Sequence, residues 1–355
     1  MPTYGKTTLT QFLIEGRRQH PAATGALNGL VTDLALACKA IACKVAFGNL
    51  GDGPDSHGIG EALETHCENT FFRSTEWGGH VAGIVSAGRP QPYSIPVQHP
   101  RGSYLLLFSA LDGSPNAEVN GTVGSLFSIL RAAKPIKDPE PEEYLQAGAR
   151  QVGAGYAIYG PSTMLVLTLG GGTYAFTLEP MLGEWVLSHA QLRVPEHTRE
   201  IASNASNSRF WGAPVRRYVD ECTAGRTGPR NADFSFRWVE SLVAEVHRIL
   251  MRGGVFLAPG GSSEPSTTGQ LRLLFEANPL SMLVEQAEGA ASNGRRRVLE
   301  VEPRSLHDTG PLFLGSPGEI ERIERYHKDF DSGRDQPYVS PLFSERSLFR
   351  PEARV

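Results

Sequence analysis

An acidic residue follows the most apolar segment of this chain. Residues 104–111 read Tyr-Leu-Leu-Leu-Phe-Ser-Ala-Leu, and Asp112, Gly113 and Ser114 come directly after them. Continuous apolar runs are typical of strands buried in an α/β sheet, and ligands bind outside the carboxyl ends of such strands. The sequence therefore predicts that Asp112 meets a cation or a phosphate group, which Gly113 allows to approach the backbone closely.

A second set of acids recurs along a predicted helix. Across residues 60–74, Glu61, Glu64 and Glu68 follow one another at spacings of three and four, which places them on one helix face. An acid in this position could act as a general base, but a row of acids is also typical of a solvated helix surface. The residues alone leave both interpretations of Glu64 open.

Histidines near the same helix define an alternative metal site. A mixture of nitrogen and carboxylate donors would suit zinc or manganese better than magnesium. A simpler interpretation places His66 on the helix surface and His80 in a loop hydrogen bond. The donors of the alternative site are His57, Glu61, Glu64, His66 and His80.

Apolar periodicity and glycine breaks predict alternating helices and strands. Two apolar runs joined by the three glycines at 170–172 are typical of a hairpin. A boundary near residue 200 separates this part from a second α/β unit, so two subdomains are favoured. Helices are predicted at 9–19, 26–47, 60–74, 239–252 and 279–288, and strands at 81–86, 104–108, 164–169 and 173–178.

Composition argues against several functional classes. The chain has 355 residues and a net charge of −4, which gives no basic surface for nucleic acid or for an anionic membrane. No apolar run reaches the roughly 18 to 20 residues that a membrane helix needs. The four cysteines form no CxxC pair, so reduced thiols and a cytoplasmic location are expected.

Two segments of the chain resemble the class I fructose-1,6-bisphosphatase family. Residues 109–116 read Ser-Ala-Leu-Asp-Gly-Ser-Pro-Asn, against Asp-Pro-Leu-Asp-Gly-Ser-Ser-Asn in the family. Residues 269–279 read Gly-Gln-Leu-Arg-Leu-Leu-Phe-Glu-Ala-Asn-Pro, against Gly-Lys-Leu-Arg-Leu-Leu-Tyr-Glu-x-Asn-Pro. Similar segments continue in the same order from about Leu9 to His327, so the resemblance covers most of the chain.

The resemblance implies an α/β fold of the sugar-phosphatase type, a layered αβαβα sandwich with mixed sheets. Residues 1–200 would form a subdomain that binds metal and phosphate. Residues 201–330 would form a second α/β subdomain that binds the sugar phosphate, and residues 331–355 would form a tail.

The resemblance also implies a site for magnesium-dependent hydrolysis of a phosphate ester, with Mn²⁺ or Zn²⁺ as alternative ions. The implied metal ligands are the Leu111 carbonyl, Asp112 and Glu276. Glu64 aligns with the water-activating aspartate of the family, so Glu64 and Asp112 are the implied catalytic residues. The implied substrate-binding residues are Asp112, Gly113, Ser114, Asn204, Arg237, Trp238 and Gln270.

The chain departs from the family where the family binds metal. Ala87 and Gly88 stand in place of two glutamates and Ser109 in place of an aspartate, so three acids of the family's site are neutral here. Gln270 replaces a lysine and Ala258 a tyrosine. Losing a residue that merely supports a metal ligand costs about 10- to 100-fold in metal affinity, so losing the ligands themselves should cost more.

Three functions are consistent with this pattern. The main prediction is hydrolysis of the 1-phosphate of fructose 1,6-bisphosphate by a homotetramer, which is the assembly of the family. An alternative is a catalytically silent paralogue that binds a sugar phosphate or an active subunit and regulates it, in tetramers that mix the two chains. A second alternative is a phosphatase of altered sugar-phosphate specificity, which would use the room opened by Ala258.

Overall fold

The computed structural model describes residues 7–19, 25–48, 59–134, 138–260 and 271–336. The helices are α1 (Leu9–Gln19), α2 (Gly25–Phe47), α3 (Ile59–Thr75), α4 (Ser114–Glu118), α5 (Ala213–Thr223), α6 (Leu242–Arg252), α7 (Asn278–Gln286) and α8 (Pro317–Asp331). The strands are β1 (Val81–Ser86), β2 (Tyr104–Asp112), β3 (Val123–Arg131), β4 (Gly153–Tyr159), β5 (Thr163–Thr168), β6 (Thr173–Glu179), β7 (Glu184–His189), β8 (Glu200–Ala202), β9 (Ser235–Arg237), β10 (Val255–Ala258), β11 (Leu271–Arg272), β12 (Ala290–Ser292), β13 (Thr309–Gly310) and β14 (Leu312–Gly315).

The first sheet contains β1 to β7 in sequence order. Short connections, such as the glycine turn between β5 and β6, make most neighbouring strands antiparallel. The longer connection between β1 and β2 allows parallel pairing, with Ser86 opposite Phe108. The carboxyl ends of β1 and β2 therefore lie side by side.

The second sheet has the strand order β12-β14-β10-β8-β9. Its strands β10, β8 and β9 run parallel, so their carboxyl ends also lie together. The strand β14 is antiparallel to both of its neighbours. A separate short pair, β11 with β13, completes the strands of the described ranges.

Helical layers cover the two sheets and separate them. Helices α1 to α3 pack on the first sheet through residues such as Phe71 and Phe108. Helices α6 and α7 lie between the sheets, where Val246 belongs to a core shared with β3, β4, β10 and β14. Helices α5 and α8 pack on the remaining face of the second sheet around Tyr218 and Phe313. The predicted layered αβαβα sandwich with mixed sheets is confirmed.

The structure confirms the predicted helices and strands and shifts some of their ends. The strand predicted at 104–108 continues to Asp112. The helix predicted from residue 239 begins at Leu242, because the Ser241 hydroxyl caps its first turn by accepting a hydrogen bond from the Ala244 N–H at 3.2 Å. The helix predicted to reach residue 288 ends at Gln286. None of the described helices combines the length and the apolar character needed to cross a bilayer.

Candidate active site

Asp112 closes β2 and faces the start of helix α6. Its Oδ2 atom accepts hydrogen bonds from the Ser241 hydroxyl at 2.7 Å and from the Val243 N–H at 2.9 Å. Burial raises the pKa of Asp112 to about 6. The bonds from Val243 and Ser241 oppose this rise in the pKa, and the nearby carboxylate of Glu276 adds to it. The predicted strand-end acid is thus partly buried and fixed in place.

The turn after Asp112 is locked to the same segment. Gly113 has a φ of 72°, and a Cβ atom added there would lie 2.9 Å from the Cβ of Ser241. Both the backbone angle and the close approach therefore require glycine. The Asn116 side chain donates from Nδ2 to the Val239 carbonyl at 2.9 Å. Gly113, Ser114 and the helix α4 are consequently held against the residues that precede α6.

Glu276 is bound on both oxygens by one arginine. Arg272 donates to its Oε1 from Nε at 3.0 Å and from Nη2 at 2.7 Å, and its backbone N–H donates to Oε2 at 2.8 Å. Glu276 lies in a short π-helix, Leu273–Ala277, which joins β11 to α7. The remaining Nη1 group of Arg272 donates to the Ala87 carbonyl at 2.9 Å. Arg272 thus also contacts the residue that follows β1.

Glu64 belongs to the same electrostatic cluster. Burial raises its pKa, Arg272 lowers it, and Glu68 and Glu61 raise it further. Asp112 and Glu276 also interact, so the structure brings together the predicted residues Glu64, Asp112 and Glu276 around Arg272. The interpretation of Glu64 as a fully solvated helix acid is therefore not favoured.

The residues that follow β1 are uncharged, but helix α3 places the carboxylate of Glu68 beside them. Glu68 accepts a hydrogen bond from the Ser86 hydroxyl at 2.5 Å and pairs with the Nε of Arg89 at 2.8 Å. A Cβ atom added at Gly88 would lie 3.1 Å from Oε1 of Glu68. Ala87 is buried next to it. The space that a longer side chain at position 88 would enter therefore adjoins a carboxylate.

Ser109, the third neutral position, is buried within β2, opposite Leu126 of β3. Leu111, whose carbonyl is the predicted metal ligand, is buried two residues later. Both residues follow the Phe108 that pairs with Ser86 at the end of β1. The neutral positions 87, 88 and 109 therefore occupy neighbouring parts of the same parallel pair.

The predicted sugar-phosphate residues follow the second sheet. Asn204 comes two residues after β8, and its Oδ1 accepts from the Ser206 N–H at 3.2 Å and from the Ser206 hydroxyl. Arg237 ends β9 opposite Ala202, so it lies at the same end of the sheet as Asn204. Arg237 and the next residue, Trp238, are exposed. Gln270 lies outside the described residues.

The alternative metal site built on histidines is not assembled among the residues that the structure describes. These residues contain no group of three or more His, Cys, Asp or Glu side chains that could hold an ion. His80 faces Asp33 of helix α2, with its Nε2 atom 3.8 Å from Oδ2. His66 and Glu61 are exposed on α3, and His57 lies outside the described ranges.

Arg272, Ser241 and Glu68 are the residues of the cluster whose roles the sequence did not predict. For Arg272 a local signal existed, since an arginine four residues before a glutamate is a spacing at which side chains meet on a helix. For Ser241 the signal was a serine before an apolar periodic segment, which marks a helix start. Neither signal indicates contact with Ala87 or Asp112.

Comparisons with known proteins agree with this geometry. The family models for the N-terminal and C-terminal domains of fructose-1-6-bisphosphatase match residues 7–190 and 194–328. A class 1 fructose-1,6-bisphosphatase of Methylibium petroleiphilum is 60% identical over 98% of this chain and 99% of that protein. A class 1 fructose-1,6-bisphosphatase of Hydrogenophilus thermoluteolus is 53% identical over 97% of this chain and 98% of that protein.

Solved structures give the same result for the fold. The T-state crystal structure of Leishmania major fructose-1,6-bisphosphatase superposes with a TM-score of 0.81 at 30% sequence identity. The alignment covers 91% of this chain and 99% of that one. The holo form of the same enzyme gives the same values.

Proposed function

The chain belongs to the class 1 fructose-1,6-bisphosphatase family, and we propose that it hydrolyses the 1-phosphate of fructose 1,6-bisphosphate to fructose 6-phosphate and phosphate. The observation that carries this proposal is the clustering of Glu64, Asp112 and Glu276 around Arg272 beside the turn at Gly113. The pKa values of Glu64 and Asp112 are both raised by burial, and such shifts are typical of sites that act on charged ligands.

We propose that the site holds one divalent ion through the Leu111 carbonyl, Asp112 and Glu276. These are oxygen donors, which suit Mg²⁺, with Mn²⁺ or Zn²⁺ as alternatives. Both hydrogen bonds of Asp112 described above fall on Oδ2. When bound, the ion would neutralise negative charge on the transferred phosphoryl group. Two acids suit a single ion better than a cluster of ions.

The residues of the chain itself would position the reactants. Glu64 would take the proton of the attacking water, and burial raises the pKa of its carboxyl group, which makes the carboxylate a stronger base. The turn at Gly113 and Ser114 would hold the phosphate against backbone N–H groups. Hydrogen bonds from Asn116 and to Asp112 fix this turn before the substrate arrives, which lowers the cost of orienting it.

The other end of the substrate would bind at the second sheet. Asn204, Arg237, Trp238 and Gln270 are proposed to contact the 6-phosphate and sugar, since a guanidinium can bind a phosphate with two parallel hydrogen bonds. The exposure of Arg237 and Trp238 leaves both side chains available to a ligand or a neighbouring subunit. This agrees with a homotetramer, which we propose as the assembly.

We further propose a division into subdomains near residue 200 and a cytoplasmic location. The first sheet ends at His189 and the second begins at Glu200, which supports the boundary. The cysteines Cys38, Cys43, Cys67 and Cys222 are all free, as thiols are in a reducing compartment.

One observation favours the catalytically silent paralogue as a second candidate. Both oxygens of Glu276 are already bound by Arg272, at 2.7 and 2.8 Å. An ion that needs Glu276 must compete with this pair. If the pair never opens, the chain would bind a sugar phosphate without hydrolysing it.

A phosphate-release assay with fructose 1,6-bisphosphate across magnesium, manganese and zinc tests the proposal. We expect ion-dependent release, and we expect Glu64→Gln to lower kcat about 100-fold, because a general base contributes about 10²- to 10⁴-fold. Glu321→Gln, an exposed acid on the distant helix α8, is the control and should leave kcat unchanged. No release with any ion, together with binding of fructose 6-phosphate in calorimetry, would favour the silent paralogue.

A further inference from the structure

A cavity of about 640 Å³ lies at the edge of the second sheet, beside α5 and α8, and is called the α5–α8 cavity below. Its wall includes Pro259 and Asn293, which directly follow β10 and β12, and Pro311, which precedes β14. Phe313, also in the wall, belongs to the core under α5 and α8, whereas Ala258 belongs to the core between the two sheets. The cavity therefore lies on the outer face of the sheet, at strand ends where α/β proteins bind ligands.

The charged side chains that line this cavity are arginines. Arg216 of α5 and Arg295, in the turn after β12, belong to the wall, and the described residues of the wall include no Asp or Glu. Arg216 donates from Nη2 to a carbonyl, that of Arg209, at 2.9 Å. Arg295 pairs with Asp331, but both side chains are exposed, and exposed ion pairs are weak. In a chain with a net charge of −4, this wall is locally positive and favours an anionic ligand.

The start of helix α5 forms another part of the wall. This helix has 11 residues, and its N-cap, Gly212, has no side chain that could cap the first turn. Pro214 has no N–H group, and the Arg216 N–H bonds to the Gly212 carbonyl at 3.1 Å. The N–H groups of Ala213 and Val215 therefore have no acceptor within the helix, and the positive end of the helix dipole lies at the cavity.

His327 of α8 gives an independent indication of a ligand. This residue also lines the cavity but is only 7% exposed. Its Nδ1 atom lies 2.8 Å from the Ile323 carbonyl, and since a carbonyl can only accept, Nδ1 carries the proton. Burial lowers the pKa of His327, so the ring is neutral and Nε2 is a hydrogen-bond acceptor. In the part of the chain that the structure describes, Nε2 has no donor, which is uncommon for a buried polar atom.

We propose that the α5–α8 cavity binds a small phosphate monoester that carries hydroxyl groups, at a site separate from the active site. Arg216, Arg295 and the start of α5 bind the phosphate, and a ligand hydroxyl donates to Nε2 of His327. The apolar side chains of Trp211 and Phe313 contact the carbon skeleton. The volume is within the range of about 300 to 1,000 Å³ that is typical of small-molecule sites. This inference does not depend on the proposed phosphatase function.

Hydrogen–deuterium exchange of the full chain, titrated with ribose 5-phosphate and with inorganic phosphate, tests the inference. We expect both ligands to slow exchange of the amides of residues 211–217. The concentration that gives half of this protection measures the affinity of the α5–α8 cavity alone, whatever binds in the active site.

Removing the two positive charges should weaken binding. Arg216→Gln combined with Arg295→Gln should raise the half-protection concentration of both ligands at least about tenfold, because charge-assisted hydrogen bonds are lost. Arg296→Gln is the matched control, because Arg296 is exposed and adjacent in sequence but is not among the residues that line the cavity. This control should leave both affinities unchanged.

Two substitutions at the start of α5 separate charge from shape. A Cβ atom at Gly212 would meet only the Cδ of Pro214, at 3.8 Å, so a longer side chain fits, and both Asp and Asn are favourable N-cap residues. Gly212→Asp should weaken phosphate binding about tenfold, because its carboxylate repels the anion and occupies the free N–H groups. Gly212→Asn, which has nearly the same shape without the charge, should weaken binding less. Equal affinities for Gly212→Asp and the parent would contradict the inference.

His327→Phe tests the hydroxyl contact. Ribose 5-phosphate should bind about fivefold more weakly, because one hydrogen bond is lost, whereas inorganic phosphate should bind as in the parent. The inference would be overturned if residues 211–217 gained no protection in the parent, or if the double arginine variant kept the parent's affinity. Binding that appears only after removal of residues 337–355 would also overturn it, since the cavity would then belong to the tail of the chain. An inactive parent with the expected binding pattern would reject the phosphatase function alone.

Discussion

The ends of two neighbouring strands of the first sheet, β1 and β2, differ in where their charged groups come from. Strand β2 ends in Asp112, whose partly buried carboxylate is fixed by Ser241 at the start of α6. Strand β1 ends in Ser86 and is followed by the neutral residues Ala87 and Gly88. Since the two strands are parallel, both ends face the same site. Strand β2 ends in its own acid, whereas the charged groups near the end of β1 come from α3, from the segment 272–276 and from the nearby Arg89.

The charged residues near the end of β1 form two ion pairs, Glu68 with Arg89 and Glu276 with Arg272. Asp112 has no such partner among the residues that the structure describes, and burial raises its pKa to about 6. The negative charge of Asp112 at the end of β2 is therefore not balanced by an ion pair in the described structure, whereas the charges near the end of β1 nearly cancel. We expect removal of charge from β2 to affect the reaction and addition of charge at β1 to affect the fold.

The largest expected effect comes from removing the charge at β2. Asp112→Asn should lower kcat about 1000-fold, because it removes the buried negative charge that the proposed ion requires. The amide oxygen can still accept from Ser241 and Val243, so the fold should be retained. Steady-state phosphate release measures the first effect, and thermal unfolding at neutral pH measures the second.

The pH dependence of stability gives an independent check on Asp112. Its folded pKa of about 6 lies above the ordinary value of 3.8, so the folded state binds this proton more tightly. The free energy of unfolding of the parent should therefore fall as pH rises from about 4 to about 6, by an amount on the order of 1 to 3 kcal/mol. Asp112→Asn should lack this contribution. Parallel pH curves for the two proteins would contradict the assignment.

An intermediate effect is expected when charge is added at the end of β1. Gly88→Glu should lower the free energy of unfolding by about 2 kcal/mol, because the new side chain enters crowded space beside the carboxylate of Glu68. Urea unfolding measures this loss. Restoring an acid at position 88 alone is therefore not expected to improve metal binding.

The double variant Gly88→Glu with Glu68→Gln separates charge from volume. Removing the charge of Glu68 should recover part of the lost stability, since like charges no longer meet. Gly88→Ala, which adds only a Cβ atom 3.1 Å from Oε1 of Glu68, should cost less than the glutamate. If Gly88→Glu is as stable as the parent, the carboxylate of Glu68 does not crowd the space beside position 88.

The two strand ends also differ in how far the sequence predicted them. Asp112 was predicted because its signal is local: an apolar run and the acid that follows it are contiguous. Arg272 was not, because its contact with Ala87 spans 185 positions and no periodicity encodes it. Glu64 was ambiguous as a helix residue, and only the resemblance to the family selected it. Local patterns therefore predicted the helices, the strands and one acid, but not the pairing of charges.

The contact between Asp112 and the start of helix α6 could not be predicted from the sequence either. Ser241 was overlooked because the helix was predicted to begin at residue 239, which places the capping serine inside it. Its bond to Asp112 joins residues 129 positions apart. Such a contact follows from the packing of α6 against β3 and β4, which only the assembled fold defines.

The smallest expected effect tests the bond that distinguishes β2 from β1. Ser241→Ala should lower the free energy of unfolding by about 1 kcal/mol, because α6 loses its capping hydroxyl. The same change removes a hydrogen bond that lowers the pKa of Asp112, so this pKa should rise further. A double-mutant cycle with Asp112→Asn separates the two contributions, since the cap acts in both backgrounds and the charge in only one. We expect a coupling of about 1 kcal/mol above pH 6, where Asp112 is ionised, and a smaller coupling at pH 4. If the free-energy changes of Ser241→Ala and Asp112→Asn add strictly at both pH values, then α6 does not stabilise the charge of Asp112.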